Sequence, residues 1–326
     1  QGRNPSMEEV QARLFAGLDR PVDAIALFSG GLDSYAGAAC WLEEHPGKQL
    51  GLLSLSTSTV VTKVQRDLAA RLKERFTGRV MWLSVPLSLI KAPDIERSQR
   101  TRGFLYTAVA AAVARWAKAR EVLVFENGYG SLNPRLVEHQ HGAQATKSTH
   151  PDVLRKFERA YLLAGFEAQI QLPYGDRTKA ELLASIPDDL RDAIRLTVSC
   201  DGFPLRTKTM KQCGTCGSCI LRQQAISVAG LSAFDRTDYQ EPAFDSPVPS
   251  KHLWLMASQA WQFSRGEALA DYAEAVRRWP EIDLSGSQAA SFDTIGRVDV
   301  LRRYGNEWSR MVVANPALGA RLGWDR

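Results

Sequence analysis

The chain lacks any apolar run near the ~20 residues that a helical membrane span requires, and no stretch of its 326 residues is a repeat or a low-complexity tract. Cysteine is scarce, at five residues, too few for a fold stapled by disulfides. A block of one charge is also missing. The 41 Lys and Arg against 36 Asp and Glu are scattered, as in "RDLAARLKERF", which reads as a solvated face. The net charge of +5 permits an anionic small-molecule substrate such as a nucleotide, and does not demand nucleic acid. The polar start "QGRNPSMEEVQ" has no apolar centre of a secretory signal. The expectation is therefore a cytoplasmic, reduced chain whose clustered cysteines serve metal or catalysis.

What is present is an alternation of buried strands and amphipathic helices. "DAIALF" (23–28), "LGLLSLS" (50–56), "VMWLSV" (80–85), "VLVFEN" (122–127) and "AQIQLPY" (168–174) are short apolar runs suited to strands covered on both faces. The segments between them carry apolar residues at helical spacing. This pattern predicts an α/β fold, a doubly wound parallel sheet whose ligands sit at the carboxyl ends of the strands. Residues 1–21 form an N-terminal segment and 22–231 the α/β domain. Three prolines mark 232–250 as a linker, and 251–326 is a helical C-terminal subdomain holding five of the eight tryptophans. The polar stretch 127–151 after the fourth strand is long enough to be a substrate lid.

"FSGGLDS" (28–34) follows the first strand and opens into a helix. Gly30 and Gly31 let successive backbone N–H groups converge, and the helix N-terminus adds its positive end. Ser29 and Ser34 supply hydroxyls, and Asp33 is placed to hold Mg²⁺ against phosphates. No Lys-Ser/Thr pair ends the loop, which excludes a Walker A motif. Ser-Gly-Gly-x-Asp-Ser resembles instead the PP-loop of ATP pyrophosphatases. That resemblance makes Phe28, Ser29, Gly30, Gly31, Leu32, Asp33 and Ser34 the ATP-binding set.

"QCGTCGSC" (212–219) with Cys200 gives C-x12-C-x2-C-x2-C. Four thiolates with two C-x2-C spacings suit a closed tetrahedral Zn²⁺ site of Cys200, Cys213, Cys216 and Cys219. An iron–sulfur cluster is the alternative. Cys40, alone on the first helix, reads as core.

The order of "SGGLDS", "TKAELL" (178–183), "TVSC" (197–200) and "CGTCGSCILR" (213–222) resembles the 7-cyano-7-deazaguanine synthase (QueC-like) family of PP-loop enzymes. The resemblance spans about residues 22–230. It implies an adenine nucleotide α-hydrolase-like fold, structural Zn²⁺, and Mg²⁺ with ATP. The implied reaction adenylates the carboxylate of 7-carboxy-7-deazaguanine, lets ammonia attack to give an amide, and activates the amide again to give the nitrile. Asp33, Arg102 and Lys179 become the candidate catalytic residues. A homodimer is a further expectation.

Two loops depart from the family pattern. "STST" (56–59) and "ENGYGSLNPRL" (126–136) replace its usual sequences after the second and fourth strands. Glu126, Asn127, Asn133 and His150 are candidate substrate contacts, with Glu126 facing the donor edge of a guanine-like ring. The alternative is a loop satisfied by its own polar groups. A diverged chain of this shape resembles the QueC-like proteins of antiphage defence operons, where a partner-protein amine can replace ammonia as acceptor. The competing readings are nitrile synthesis for queuosine, a PP-loop tRNA thiolase, and a non-catalytic nucleotide-responsive partner.

Overall fold

The computed structural model describes residues 22–87, 101–137, 148–204, 212–283 and 294–324. The N-terminal segment 1–21, and with it residues 138–147 of the expected lid, lie outside the described residues.

Five parallel strands form one sheet in the order β3-β2-β1-β4-β5. They are β1 (Ala24–Leu27), β2 (Leu50–Ser56), β3 (Val80–Pro86), β4 (Glu121–Leu123) and β5 (Gln169–Gln171). Ala24 pairs with Leu50 on one side and Glu121 on the other, so β1 is central. Helices α1 (Leu32–Glu44) and α2 (Thr59–Arg75) connect the first three strands, and α3 (Arg102–Ala117) returns the chain across β1 to β4. The order of strands reverses between β1 and β4. Connections leaving those two strands diverge in opposite directions, which opens a crevice at their carboxyl ends.

Strand side chains alternate with period two. Ala24, Ala26, Leu50, Leu52 and Leu123 join one core with α1 and α2. Ile25, Leu53, Met81, Val122 and Ile170 join a second core with α3 and with α5 (Pro151–Leu163). Burial on both faces explains why the strands read as continuous apolar runs.

Two local expectations are corrected. The fourth strand ends at Leu123 rather than reaching 127, because Glu126 N–H turns back onto Val124 O at 3.0 Å. The stretch 127–151 begins with a short helix, α4 (Gly128–Leu132), capped by Asn127. The segment at Val198 follows α6 (Lys179–Ala184) and a 3₁₀ run at Asp188–Leu196, and Val198 N–H bonds Gly30 O at 3.1 Å.

Beyond α7 (Gly217–Val228) the chain from Ser232 to Ser250 is fastened to the sheet domain. Fully buried Arg222 reaches Asp235 at 2.9 Å, and Asp235 also accepts from Tyr239 at 2.7 Å. Burial of Asp235 opposes its ionisation, yet Arg222 and these hydrogen bonds hold its carboxyl below the usual range. Helices α8 (Lys251–Arg265), α9 (Glu267–Ala270), α10 (Tyr272–Arg278), α11 (Thr294–Ala314) and α12 (Pro316–Leu322) follow. Their core of Phe263, Tyr304 and Trp308 takes in Tyr129 and Leu132 from α4 and Ile220 from α7. Gly305 permits the α8–α11 contact, since a Cβ there would lie 2.5 Å from Ser264 N. Among the described residues no helix is long and apolar enough to cross a membrane.

Candidate functional site

The loop after β1 is shaped by its glycines. Gly30 has φ +84°, and an added Cβ would sit 3.0 Å from Val64 Cγ1. Gly31 caps α1 in extended conformation with no side-chain cap hydrogen bond, so the first turn of a 13-residue helix keeps free N–H groups facing the loop. Ser29 Oγ accepts from Gly31 N–H at 3.2 Å and lies 3.2 Å from Ser34 Oγ, which donates to Gly31 O at 2.9 Å. Phe28 and Leu32 are buried in the core, so their side chains anchor the loop rather than extend from it.

Asp33, in the first turn of α1, is met by two elements distant in sequence. Lys179 Nζ pairs with Asp33 Oδ2, and Asn127 Nδ2 donates to Asp33 Oδ1 at 3.0 Å. The same Nδ2 donates to Glu126 Oε1 at 2.8 Å, and Asn127 N–H adds a bond at 3.2 Å. Burial and the nearby Asp33 charge push the Glu126 carboxyl up to about 8, against the opposing pull of Lys179. Gly130 makes room for this group, since a Cβ there would lie 2.3 Å from Glu126 Oε1. Lys179 is itself only 4% exposed. It opens α6 behind a capping box in which Thr178 Oγ1 accepts from Glu181 N–H at 3.1 Å and Glu181 Oε2 accepts from Thr178 N–H at 2.9 Å.

Beside the loop lies a cleft of about 190 Å³ walled by Phe28, Gly30, Leu55, Thr57, Arg102 and Tyr106. A neighbouring cavity of about 290 Å³ over the β1–β4 crevice shares Leu27, Arg102 and Tyr106 with it. Arg102 donates to Tyr106 Oη at 2.9 Å and lies 5.4 Å from the ring centroid. Tyr106 was not a sequence candidate. Its signal was the i, i+4 spacing from Arg102 on one helix face.

The contacts thus gather Asp33, Lys179, Glu126 and Asn127 into one cluster, with Arg102 on the wall of the cleft. Asn133 ends α4 in left-handed conformation, φ 44°. His150 caps α5, and its Nε2 lies 2.8 Å from Glu281 O. These two candidates are found at helix ends.

The Sγ atoms of Cys200, Cys213, Cys216 and Cys219 lie within 4.8 Å of one another. Four sulfurs at ~2.3 Å from one ion stand ~3.8 Å apart, and the Cys213–Cys219 separation is 3.9 Å. Backbone N–H groups of Cys213 and Cys216 point at Cys200 Sγ and Cys213 Sγ, each at 3.4 Å. A hydrogen bond from Cys219 pushes the Cys216 thiol down to about 6, and the same contact pushes Cys219 up. The donor set fits a tetrahedral Zn²⁺. Gly214, at φ +85°, permits the knuckle, since a Cβ would lie 1.8 Å from Glu241 O. Cys40 is buried, and its thiol is pushed up to about 12 by burial first and Glu44 second.

A five-stranded parallel sheet flanked by helices, a glycine loop at the end of its central strand and a four-cysteine knuckle define a PP-loop α/β protein. A family model described as "Queuosine biosynthesis protein QueC" matches residues 140–230. The chain is also 24% identical over 261 residues to the 7-cyano-7-deazaguanine synthase of Sinorhizobium fredii (strain NBRC 101917 / NGR234), covering 73% of this chain and 96% of that protein. Over residues 140–230 the chain is similar to the QueC family, and over a longer stretch to this synthase.

Proposed function

We propose that this chain is an ATP-dependent carbon–nitrogen ligase acting on 7-carboxy-7-deazaguanine or a related acid. The observation that carries this reading is the convergence of Lys179 and Asn127 on Asp33 beside the uncapped N-terminus of α1. In the reaction, a carboxylate oxygen of the acid attacks the α-phosphorus of ATP and the bond to the β-phosphate oxygen breaks. The N–H groups at the start of α1 receive the pyrophosphate charge, the Gly31 N–H and the Ser29 and Ser34 hydroxyls turning to it from their bonds within the loop, and Lys179 neutralises it. Mg²⁺ would be held by Asp33 and would add charge neutralisation there. An amine nitrogen then attacks the acyl carbon, the carbon–oxygen bond to AMP breaks, and the amine loses a proton. Catalysis on this account is positioning and charge stabilisation.

Glu126 supports the choice of acid. With its carboxyl pushed up to about 8, it holds a proton near neutrality and offers both a donor and an acceptor to the edge of a guanine-like ring. Arg102, on the wall shared by the two cavities, is suited to the acid's carboxylate. The acceptor is ammonia or an amine of a partner protein; the protein amine would suit an antiphage setting and would stop the reaction at an amide. The name of the Sinorhizobium relative supports a second reading, in which ammonia is the acceptor and a second ATP adenylates the amide oxygen, which leaves with AMP as two N–H protons are lost and the nitrile forms.

The test is ATP–pyrophosphate exchange with and without 7-carboxy-7-deazaguanine, followed by product masses with ammonia or candidate protein acceptors. Exchange that requires the acid and disappears in Asp33→Ala supports the ligase. AMP release indifferent to the acid defeats it. An amide mass and a nitrile mass separate the two readings.

A further inference from the structure

We propose that Glu307, on α11 and beyond the stretch matched by the QueC family model, is a positioning residue for Lys179. The proposal rests on the ligase reading for its kinetic consequence alone. Glu307 is 2% exposed, and Thr178 is fully buried. The Thr178 hydroxyl has one proton and two lone pairs. One lone pair caps α6 by accepting from Glu181 N–H, and its proton goes to Glu307 Oε1. Without that acceptor the hydroxyl proton would point into a dry interior, at a cost that favours turning the side chain away from its cap.

The other carboxylate oxygen of Glu307 accepts from Gln224 Nε2 of α7 at 3.2 Å. One side chain from the C-terminal layer thereby ties the helix that begins with Lys179 to the helix that carries Cys219. Arg303, one turn earlier on α11, holds the second half of the same capping box: its Nη1 donates to Glu181 Oε2 at 2.6 Å, and its Nη2 to Asp176 O at 2.6 Å. Both members of the Thr178–Glu181 box are therefore clamped from α11, and the residue they frame is the one paired with Asp33.

A buried carboxylate is an expensive way to fill space. Burial pushes the Glu307 carboxyl up to about 7, while Thr178 and Gln224 pull it down and the Glu181 charge opposes them. A leucine would pack α11 against α6 more cheaply. What a leucine lacks is an acceptor fixed in direction, which sets the start of α6 and hence the line from the Lys179 backbone to Asp33.

Two measurements on the full chain test this. The first is the rate at which acetic anhydride labels Lys179, read by peptide mass spectrometry on wild type, Glu307→Met, Glu307→Gln and Arg303→Met. The expected result is faster labelling by about tenfold in Glu307→Met, as loss of a buried hydrogen bond worth ~1–1.5 kcal/mol loosens the pair. Glu307→Gln should label like wild type: its amide oxygen accepts from Thr178, and its nitrogen can face Gln224 Oε1, which has no partner among the described residues. Arg303→Met, at a partly exposed site that tolerates change, should label about threefold faster. The second measurement is acid-dependent exchange, where Glu307→Met should lower kcat about tenfold with little change in KM for ATP, and Glu307→Gln should restore it.

Labelling of Lys179 unchanged in Glu307→Met overturns the proposal, as does Glu307→Gln behaving like Glu307→Met. If Glu307→Met does not fold, unchanged labelling in Arg303→Met overturns it. A wild type with slow labelling but no acid-dependent exchange defeats the ligase reading and leaves the labelling series to decide the position of Lys179.

Discussion

Lys179 is paired with Asp33 across 146 residues of sequence. The lysine starts α6, the aspartate lies in the first turn of α1, and the contact forms at the mouth of the crevice beside the central strand. Its burial removes the screening that weakens surface pairs. Lys179→Ala should leave Asp33 and Glu126 as neighbouring carboxylates with no cation between them. The expected outcome is a fall in acid-dependent ATP–pyrophosphate exchange of about 10²–10³-fold, checked by initial rates at saturating ATP.

Stability should fall as pH rises. Glu126 is pushed up to about 8 from an ordinary carboxyl value of 4.5, and Glu307 to about 7. Between those values and 4.5 the folded chain binds more protons than the unfolded chain, so ∂ΔG/∂pH is negative. Each group contributes at most ~1.4 kcal/mol per pH unit. The melting temperature should decline from pH 5 to about 8, and Glu126→Gln should flatten that decline. A Glu126→Gln profile as steep as wild type counts against a Glu126 that is protonated in the folded chain.

One zinc per chain is expected by metal analysis, with Cys219→Ser losing it. Chelation should lower the melting temperature, because metal binding to the four sulfurs is linked to folding. It should also weaken ATP binding, since Val198, two residues before the first cysteine, holds Gly30 O by its N–H. Calorimetry of ATP binding with and without chelator reads this second effect. An unchanged affinity would separate the zinc knuckle from the nucleotide loop.

Gly30→Ala places a Cβ at φ +84° and 3.0 Å from Val64 Cγ1. The strain is of order 1–2 kcal/mol, so the variant should fold with a lower denaturation midpoint. Its larger loss should be in ATP affinity, because the loop relaxes by moving the N–H groups that receive phosphate. Urea titration and ATP calorimetry on the same preparation give both quantities.

The strands of the sheet, the glycine loop and the cysteine cluster were legible in the sequence alone. Each is written in local spacing: apolar runs of strand length, a Gly-Gly turn between strand and helix, and C-x2-C pairs. Such features need only neighbouring residues to be read. The end of β4 at Leu123 escaped that reading, because the apolar run continues past the turn that Glu126 N–H makes onto Val124 O, while β5 pairs only through Gln169–Gln171. The meeting of Asp33, Lys179, Asn127 and Glu126 was decided by the strand order. Only placing β4 beside β1 brings residues 126–127 to the loop at 29–34. Glu307 is the extreme case: in sequence it is one charged residue on an amphipathic helix, indistinguishable from a solvated one. Packing of α11 over α6 and α7 buries it and supplies Thr178 and Gln224 as partners, and burial with partners is a property of three-dimensional neighbours that periodicity does not carry.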